Sequence, residues 1–144
     1  MMGPIDAEIM HAKLSVIQEN LKALDPIKEM KKDEYLRDIY KRKATERLLQ
    51  ELIEAAIDIN VHMIVESGHA PPEDYYQSFI RAGELGMLSL DLAEKLAPSA
   101  GLRNRLVHEY DRIDHSIILE AVALAEELYS RYLKEVYSFI SRKD

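Results

Sequence analysis

The stretch over residues 33–65 contains neither proline nor glycine, and it limits the possible folds more than any other feature of the chain. Within it, apolar residues from Leu36 to Met63 recur at spacings of three and four, which is the period of one helix face. Ser67 and Gly68 then end the pattern. We predict one helix over 33–65, roughly 50 Å long at a rise of about 1.5 Å per residue.

The remaining chain repeats this period in shorter segments that proline, glycine and capping residues separate. The first helix is predicted over 5–24 and ends before Pro26; a second runs from Pro72, in its first turn, to Gly83. Ser89 is the predicted N-cap of a helix that reaches Ala97, and a separate helix covers 99–108 after Pro98. The last helix is predicted from its N-cap Asp114 to Ile140. No segment alternates like a strand. The sequence therefore predicts an all-α protein, an antiparallel bundle of four to five helices with two long ones, forming one domain over residues 1–144.

The composition narrows the class of protein further. The chain has 144 residues, 47% of them hydrophobic, as expected for a single globular domain. It has no cysteine, which excludes disulfides, a thiol nucleophile and thiolate metal ligands, and which suits a reducing cytoplasm. The opening residues lack the pattern of a signal peptide, and no apolar segment is long enough to span a membrane. We therefore predict a cytoplasmic protein without a membrane partner.

The formal net charge of −7 argues against broad, sequence-independent adhesion to nucleic acid, which depends on lysine and arginine. Two local groups of basic residues depart from this average: 41–47 with Lys31, Lys32 and Arg37 before it, and Arg103 with Arg105 and Arg112. For the first group, composition alone favours a solvated helix face. Any contact with nucleic acid is therefore expected to be narrow and local.

The segment GLRNRLVHEY, residues 101–110, is the one compact cluster of polar, chemically active side chains of its kind. On a continuous helix, Asn104 and His108 are four residues apart and share a face. Arg103 and His108 are five apart, about 140° around the axis, so one helix directs them differently. They meet at one substrate if the helix ends before His108, or if two copies of the chain share the site. The second arrangement predicts a symmetric dimer with this segment at its interface.

These residue types suit RNA cleavage without a metal ion. A histidine exchanges protons with a ribose 2′-hydroxyl or a leaving 5′-oxygen near neutral pH, and an arginine donates to phosphate oxygens as they gain charge. The spacing is equally compatible with a structural arrangement, in which His108 bonds a backbone carbonyl and Leu106 and Val107 belong to the core. In that case Arg105, Glu109 and Arg112 are surface charges. Spacing alone leaves both interpretations open.

The same residues resemble a HEPN domain, and in particular the HepT-like toxin family. HEPN ribonucleases have an arginine, a polar residue, three further residues and a histidine, which here are Arg103, Asn104 and, after 105–107, His108. The HepT-like group adds any residue and then a tyrosine, which here is Tyr110. The stretches LAPSAGLRN, YDRID and EAAIDIN are also similar to this family, so the resemblance covers nearly the whole chain.

This resemblance implies a HEPN-type bundle that forms a homodimer or higher homo-oligomer and acts as a metal-independent endoribonuclease, with no cofactor. By position, Arg103 and His108 are expected to be catalytic and Asn104 supporting. The expected partner, besides the RNA substrate, is a nucleotidyltransferase antitoxin of the MntA type. It transfers AMP to the motif tyrosine, here Tyr110, and the added phosphate repels RNA.

Two other interpretations remain open from the sequence. The chain is alternatively a non-catalytic helical subunit that binds a nucleotidyltransferase and needs no chemistry from His108. Metal chemistry is suggested by Glu8 with His11 and by Glu66 with His69, whose spacing is that of di-iron carboxylate bundles. Ser67 and Gly68 are expected to break the helix within the second pair, which weakens the metal interpretation.

Overall fold

The computed structural model describes residues 6–143, and every regular element in this range is helical. The elements are α1 (Ala7–Lys28), α2 (Lys32–Arg37), α3 (Ile39–Glu66), α4 (Tyr75–Glu84), α5 (Leu90–Leu96), α6 (Ser99–His108), a 3₁₀ turn (Tyr110–Arg112) and α7 (His115–Lys143). The prediction of an all-α bundle with two long helices, here α3 and α7, is confirmed. None of its helices is both long and apolar enough to cross a membrane, as judged over 6–143.

Helix α1 lies between the two long helices and runs antiparallel to both. Residue numbers along α1 rise while those of its contact partners fall. The contacts against α3 are Lys13 Nζ to Asp58 Oδ2 at 2.8 Å and Asn20 Nδ2 to the Leu48 carbonyl at 3.1 Å; those against α7 are Lys28 Nζ to Glu126 Oε2 at 3.0 Å and the rings of His11 and Tyr137, 6.0 Å apart. The antiparallel packing therefore centres on α1.

The two long helices run parallel to each other. His115 at the start of α7 lies 3.7 Å from Glu46 near the start of α3, measured from Nδ1 to Oε2. Further along both helices, the Tyr132 hydroxyl donates to Asn60 Oδ1 at 2.7 Å. Helices α4–α6 lead the chain from the end of α3 back to the start of α7. Of these, α6 packs on α3 and α4. The segment 101–110 is therefore held against the middle of α3.

The predicted helix over 33–65 is wrong at its start, because the chain leaves helical geometry at Asp38. There φ is −107° and ψ is 93°, and the Asp38 carboxylate accepts a hydrogen bond from the Lys41 backbone N–H at 3.0 Å. Asp38 is thus an N-cap inside a stretch of continuous apolar period. Helix α2 still contributes to the core, since Tyr35 is fully buried. The apolar period was real, but it did not require one unbroken helix.

Two predicted effects of proline are also wrong. Helix α1 continues through Pro26 to Lys28, because a proline in the last turn removes one hydrogen bond while buried Ile27 fixes that turn to the core. Pro72 lies before α4 rather than in its first turn; Asp74 caps that helix by accepting from the Gln77 N–H at 2.7 Å. The predicted start of α1 at residue 5 lies outside the described residues.

The other predicted boundaries are confirmed. Helix α3 ends at Glu66, and Gly68 adopts a φ of 89° that residues with a Cβ rarely take. Ser89 caps α5 by accepting from the Leu92 N–H at 3.3 Å, and α6 begins directly after Pro98. The Asp114 carboxylate precedes α7 and accepts from the Ser116 N–H at 2.9 Å. Each of these boundaries follows from the chemistry of one residue.

Candidate active site

Most of the segment 101–110 belongs to α6, whose apolar side packs against the rest of the fold. Ala100 and Leu106 are buried against the core, while the polar residues between them remain at the surface. The last helical residue is His108, since the Glu109 N–H still donates to the Arg105 carbonyl at 2.9 Å. The arrangement in which the helix ends before His108 is therefore wrong, because α6 keeps its hydrogen bonds to the end of the motif.

Arg103 is anchored to α3. Its Nη2 and Nε atoms lie 2.9 and 3.3 Å from Oε2 of Glu54, and the side chain is 16% exposed. The guanidinium carbon lies 5.0 Å from the centre of the Tyr75 ring, within range of a cation–π contact. The second Glu54 oxygen accepts from Gln50 Nε2 at 3.1 Å. Arg103 thus has the most side-chain contacts of the polar residues in the segment.

Asn104 and His108 lie on a more exposed face of α6. The Asn104 side-chain oxygen accepts from Nη1 of Arg103 at 3.3 Å, so the two residues are directly connected. His108 is exposed, and its side chain makes no hydrogen bond or ion pair with the residues between 6 and 143. The hydrogen bond from His108 to a backbone carbonyl, considered above, is absent from that range. Both ring nitrogens are therefore available to a substrate.

The structure connects Arg103 to Asn104 but does not join Arg103 and His108 within one chain. Both belong to the same straight helical segment, roughly 7.5 Å apart along its axis and about 140° apart around it. Tyr110 follows in the 3₁₀ turn and is 63% exposed. Arg103, His108 and Tyr110 therefore lie close in sequence, with Arg103 and His108 directed to different sides of α6.

The second basic group divides between two depressions of the surface. Arg103 lies in an open pocket that Lys13, Glu54, Ile57, Asp58 and Tyr75 also line. Arg105 and Arg112 line another cleft, with Glu109 between them in sequence. The surface positions expected for Arg105, Glu109 and Arg112 are confirmed, and Leu106 is buried as expected.

Three of the seven basic residues around the start of α3 are paired with acids. These pairs are Arg37 with Asp33 at 3.5 Å, Lys43 with Glu46 at 4.0 Å and Arg47 with Glu51 at 3.2 Å. All three basic side chains are more than half exposed, so the expected solvated helix face agrees with the structure. This group therefore offers less unpaired positive charge than its sequence suggests.

Tyr75 was not among the residues that the sequence singled out, and Glu54 was named only as the first residue of the family-like stretch EAAIDIN, with no role. Glu54 and Asp58 are four apart, so they form an acidic pair on one face of a helix that is otherwise apolar in this region. That pair is the available sequence signal, but it does not identify Arg103 as the partner. Tyr75 carries no comparable signal, because it is one of several tyrosines near helix ends.

The di-iron interpretation is wrong for the described part of the chain. No group of three or more histidine, aspartate or glutamate side chains there is arranged to hold a metal ion. Glu66 is the last residue of α3, whereas His69 lies in the following loop. The helix therefore breaks between the two residues, as the sequence predicted.

Solved structures define the class of this fold. A tri-AMPylated HEPN toxin of Shewanella oneidensis, solved in complex with its MNT antitoxin, is 22% identical with a TM-score of 0.81, over 90% of this chain and 97% of that one. The cytosolic protein YutE of Bacillus subtilis is 16% identical with a TM-score of 0.86, over 99% of this chain and 95% of that one. The fold is thus the helical bundle of HEPN proteins.

The family follows from sequence. The model of the ribonuclease HepT-like family matches residues 17–136. The tRNA nuclease HepT of Aphanizomenon flos-aquae is 36% identical over 139 residues, which cover 96% of this chain and 95% of that protein. The chain belongs to the HepT-like ribonuclease family. The predicted family is confirmed, and with it the class of enzyme, a ribonuclease.

Proposed function

We propose that this protein is an endoribonuclease toxin that cleaves RNA without a metal ion, at a cleft shared by two copies of the chain. The observation that carries the proposal is the combination of a fixed Arg103 and an exposed, unpartnered His108 on one uninterrupted helix. Because a single chain directs the two side chains apart, a second copy is needed to bring a histidine to the first copy's arginine.

An apolar strip beside α6 supports the contact between copies. Leu102 of α6 and Ile117 and Leu124 of α7 line one groove, in which Ile117 is 50% and Leu124 54% exposed. The groove continues past Arg105 and Ile117 into the cleft that contains Glu109. Large exposed apolar side chains next to a polar cleft are typical of protein interfaces. We place the two-fold contact along this strip.

The proposed reaction uses the ribose 2′-hydroxyl as nucleophile. The His108 ring of one copy removes its proton, and the 2′-oxygen attacks the adjacent phosphorus. The bond from phosphorus to the 5′-oxygen breaks, and the other copy's His108, protonated, gives a proton to that oxygen. The Arg103 guanidinium donates to the non-bridging oxygens as negative charge grows on them. The products are a 2′,3′-cyclic phosphate and a 5′-hydroxyl.

The test is cleavage of RNA in EDTA by the wild type, Arg103→Ala and His108→Ala. Loss of a general acid–base group is expected to lower the rate on the order of 100-fold or more. A 2′-deoxy substitution at the cleaved position should block the reaction, because it removes the nucleophile. Cleavage that requires a metal ion, or full activity in both variants, contradicts the proposal. Unchanged cellular activity of His108→Ala instead supports the non-catalytic binding subunit.

The proposed regulation is AMP transfer to the Tyr110 hydroxyl by a nucleotidyltransferase antitoxin of the MntA type. Tyr110 is exposed and follows His108 by two residues, so an added phosphate introduces negative charge and bulk beside the cleft. Phosphate repels the RNA backbone, which explains inhibition without any change of fold. Such a toxin acts on RNA in the cytoplasm, where we place the protein.

The acceptor is tested by incubating the protein with that nucleotidyltransferase and ATP, followed by mass spectrometry. Tyr110→Phe should lose the modification and retain ribonuclease activity in its presence. Tyr40→Phe is the matched control, because Tyr40 is 85% exposed and lies in another part of the fold. Labelling that persists in Tyr110→Phe and disappears in Tyr40→Phe contradicts the assignment.

A further inference from the structure

Arg103 reaches its position through a partner on another helix, 49 residues away in sequence. Glu54 projects from the middle of α3, and its Oε2 atom accepts from both Nε and Nη2 of Arg103. Gln50, one turn earlier, donates to the other Glu54 oxygen and restrains the carboxylate in turn. The arginine is therefore fixed by a chain of contacts that begins on α3.

These contacts leave a defined part of the guanidinium available. Of its five N–H groups, Nε and one on Nη2 face Glu54, and one on Nη1 faces Asn104. One N–H remains on each terminal nitrogen. Tyr75 supports the guanidinium through its ring, 5.0 Å from the central carbon. The two remaining donors suit a phosphate with two non-bridging oxygens, which a planar guanidinium binds in pairs.

We propose that Glu54 is the positioning residue for the Arg103 guanidinium, and that it fixes the two remaining N–H groups toward the scissile phosphate. This inference rests on the proposed ribonuclease function. Glu54 does not touch RNA in this arrangement; it acts through Arg103. An arginine that is fixed before substrate arrives stabilises the charge of the transition state without reorganising during the reaction.

A purely structural role explains the contact less well. Water still reaches the pair, with Glu54 36% and Arg103 16% exposed, so it contributes less to stability than a fully buried ion pair. Helix α6 also packs on α3, and its residue Leu106 is buried in the core, so the ion pair is not needed to hold α6 in place. A carboxylate that neutralises a phosphate-binding arginine also weakens its general attraction for RNA. A gain in the geometry of Arg103 therefore explains the contact better than a gain in stability.

The experiment compares Glu54→Gln with Glu51→Gln, in kcat and KM for RNA. Glu51 is the matched control: it lies on the same helix, pairs with Arg47 at 3.2 Å and does not contact Arg103. We expect Glu54→Gln to lower kcat on the order of 10-fold or more, because a misplaced group loses catalytic geometry. KM should stay equal or fall, because one negative charge has been removed. Glu51→Gln should match the wild type.

Two further measurements separate positioning from loss of fold. The thermal midpoint of Glu54→Gln should stay near that of the wild type. In ¹⁵N NMR spectra, an Arg103 Nε–H signal, assigned by its absence in Arg103→Lys, should be protected from solvent exchange in the wild type and unprotected in Glu54→Gln. Tyr75→Ala should lower kcat, because it removes the ring that supports the Arg103 guanidinium.

Equal kcat values for Glu54→Gln and Glu51→Gln overturn the inference, as does an Arg103 signal that stays protected without Glu54. The same assay includes Arg103→Ala and His108→Ala. If both retain full activity, the proposed function fails, and the catalytic role of Glu54 fails with it. If both are inactive while Glu54→Gln is fully active, only the inference about Glu54 is wrong.

Discussion

Tyr132 shows how a single buried hydroxyl connects three helices. It is fully buried on α7 and donates toward α3, where the Asn60 side-chain oxygen lies at 2.7 Å and the Ala56 carbonyl at 3.0 Å. Asn60 in turn donates to Ser78 Oγ of α4 at 3.3 Å. Burial raises the pKa of the Tyr132 hydroxyl well above its ordinary value, so the group remains a neutral donor.

We expect Tyr132→Phe to lower the free energy of unfolding by about 1–3 kcal/mol, because it leaves buried acceptors on α3 without their donor. Tyr129→Phe is the matched control. Tyr129 is also buried, but its hydroxyl makes no hydrogen bond within 3.5 Å in 6–143, although the Ser99 side chain lies near it, so this substitution should cost less than Tyr132→Phe. Urea denaturation measures both. Equal losses in the two variants would show that the hydrogen bonds of the Tyr132 hydroxyl add nothing to the cost of removing a buried hydroxyl group.

The helical elements were predictable where one residue determines the backbone. Gly68, Ser89 and Pro98 mark real boundaries, because each has a local conformational or capping preference that nothing else in the fold overrides. Asp38 and Pro26 were misjudged for the opposite reason. Burial of Tyr35 and Ile27 decides the course of the chain at those positions, and burial depends on neighbours that are distant in sequence.

Close contact between α4 and α5 depends on Gly83. A Cβ at this position would lie 2.6 Å from the Cβ of Ala93, which belongs to a rigid part of α5. We expect Gly83→Ala to destabilise the protein, since overpacking of about 1–3 kcal/mol opposes a helix-propensity gain of about 1 kcal/mol.

Gly101 provides the comparison, because a Cβ there meets nothing within 4 Å. Gly101→Ala on α6 should therefore raise the free energy of unfolding by up to about 1 kcal/mol. Thermal denaturation of the two variants tests the contrast. A stabilised Gly83→Ala would show that α4 and α5 separate without loss, and that their close approach is not needed.

At the scale of the molecule, the sequence predicted the bundle and the residues of the motif, and it left their connections undetermined. The divergence of Arg103 and His108 follows from helix geometry alone. The pairing of Arg103 with Glu54 does not, because it depends on how α6 packs on α3. The parallel course of α3 and α7 is likewise set by the path of α4–α6, which the helical period does not encode.

The strongest test of the whole assembly is Leu124→Glu. Leu124 is 54% exposed in the apolar groove, so a monomer should tolerate a carboxylate there, whereas a two-fold contact would place two of them together in a dry interface. We expect the dissociation constant of the dimer to rise on the order of 100-fold or more. Ribonuclease activity should fall with it, because the His108 of the second copy is lost.

Ser130→Glu is the matched control for this change, since it adds the same charge to an exposed position of the same helix, in a polar depression that Lys22, Lys28, Asp25, Glu126 and Glu127 line. Sedimentation equilibrium should give a particle near the 16.6 kDa chain mass for Leu124→Glu and twice that mass for Ser130→Glu and the wild type. Circular dichroism should show the same helix content in all three. A Leu124→Glu protein that is monomeric and fully active contradicts the shared cleft, because one chain would then suffice for catalysis.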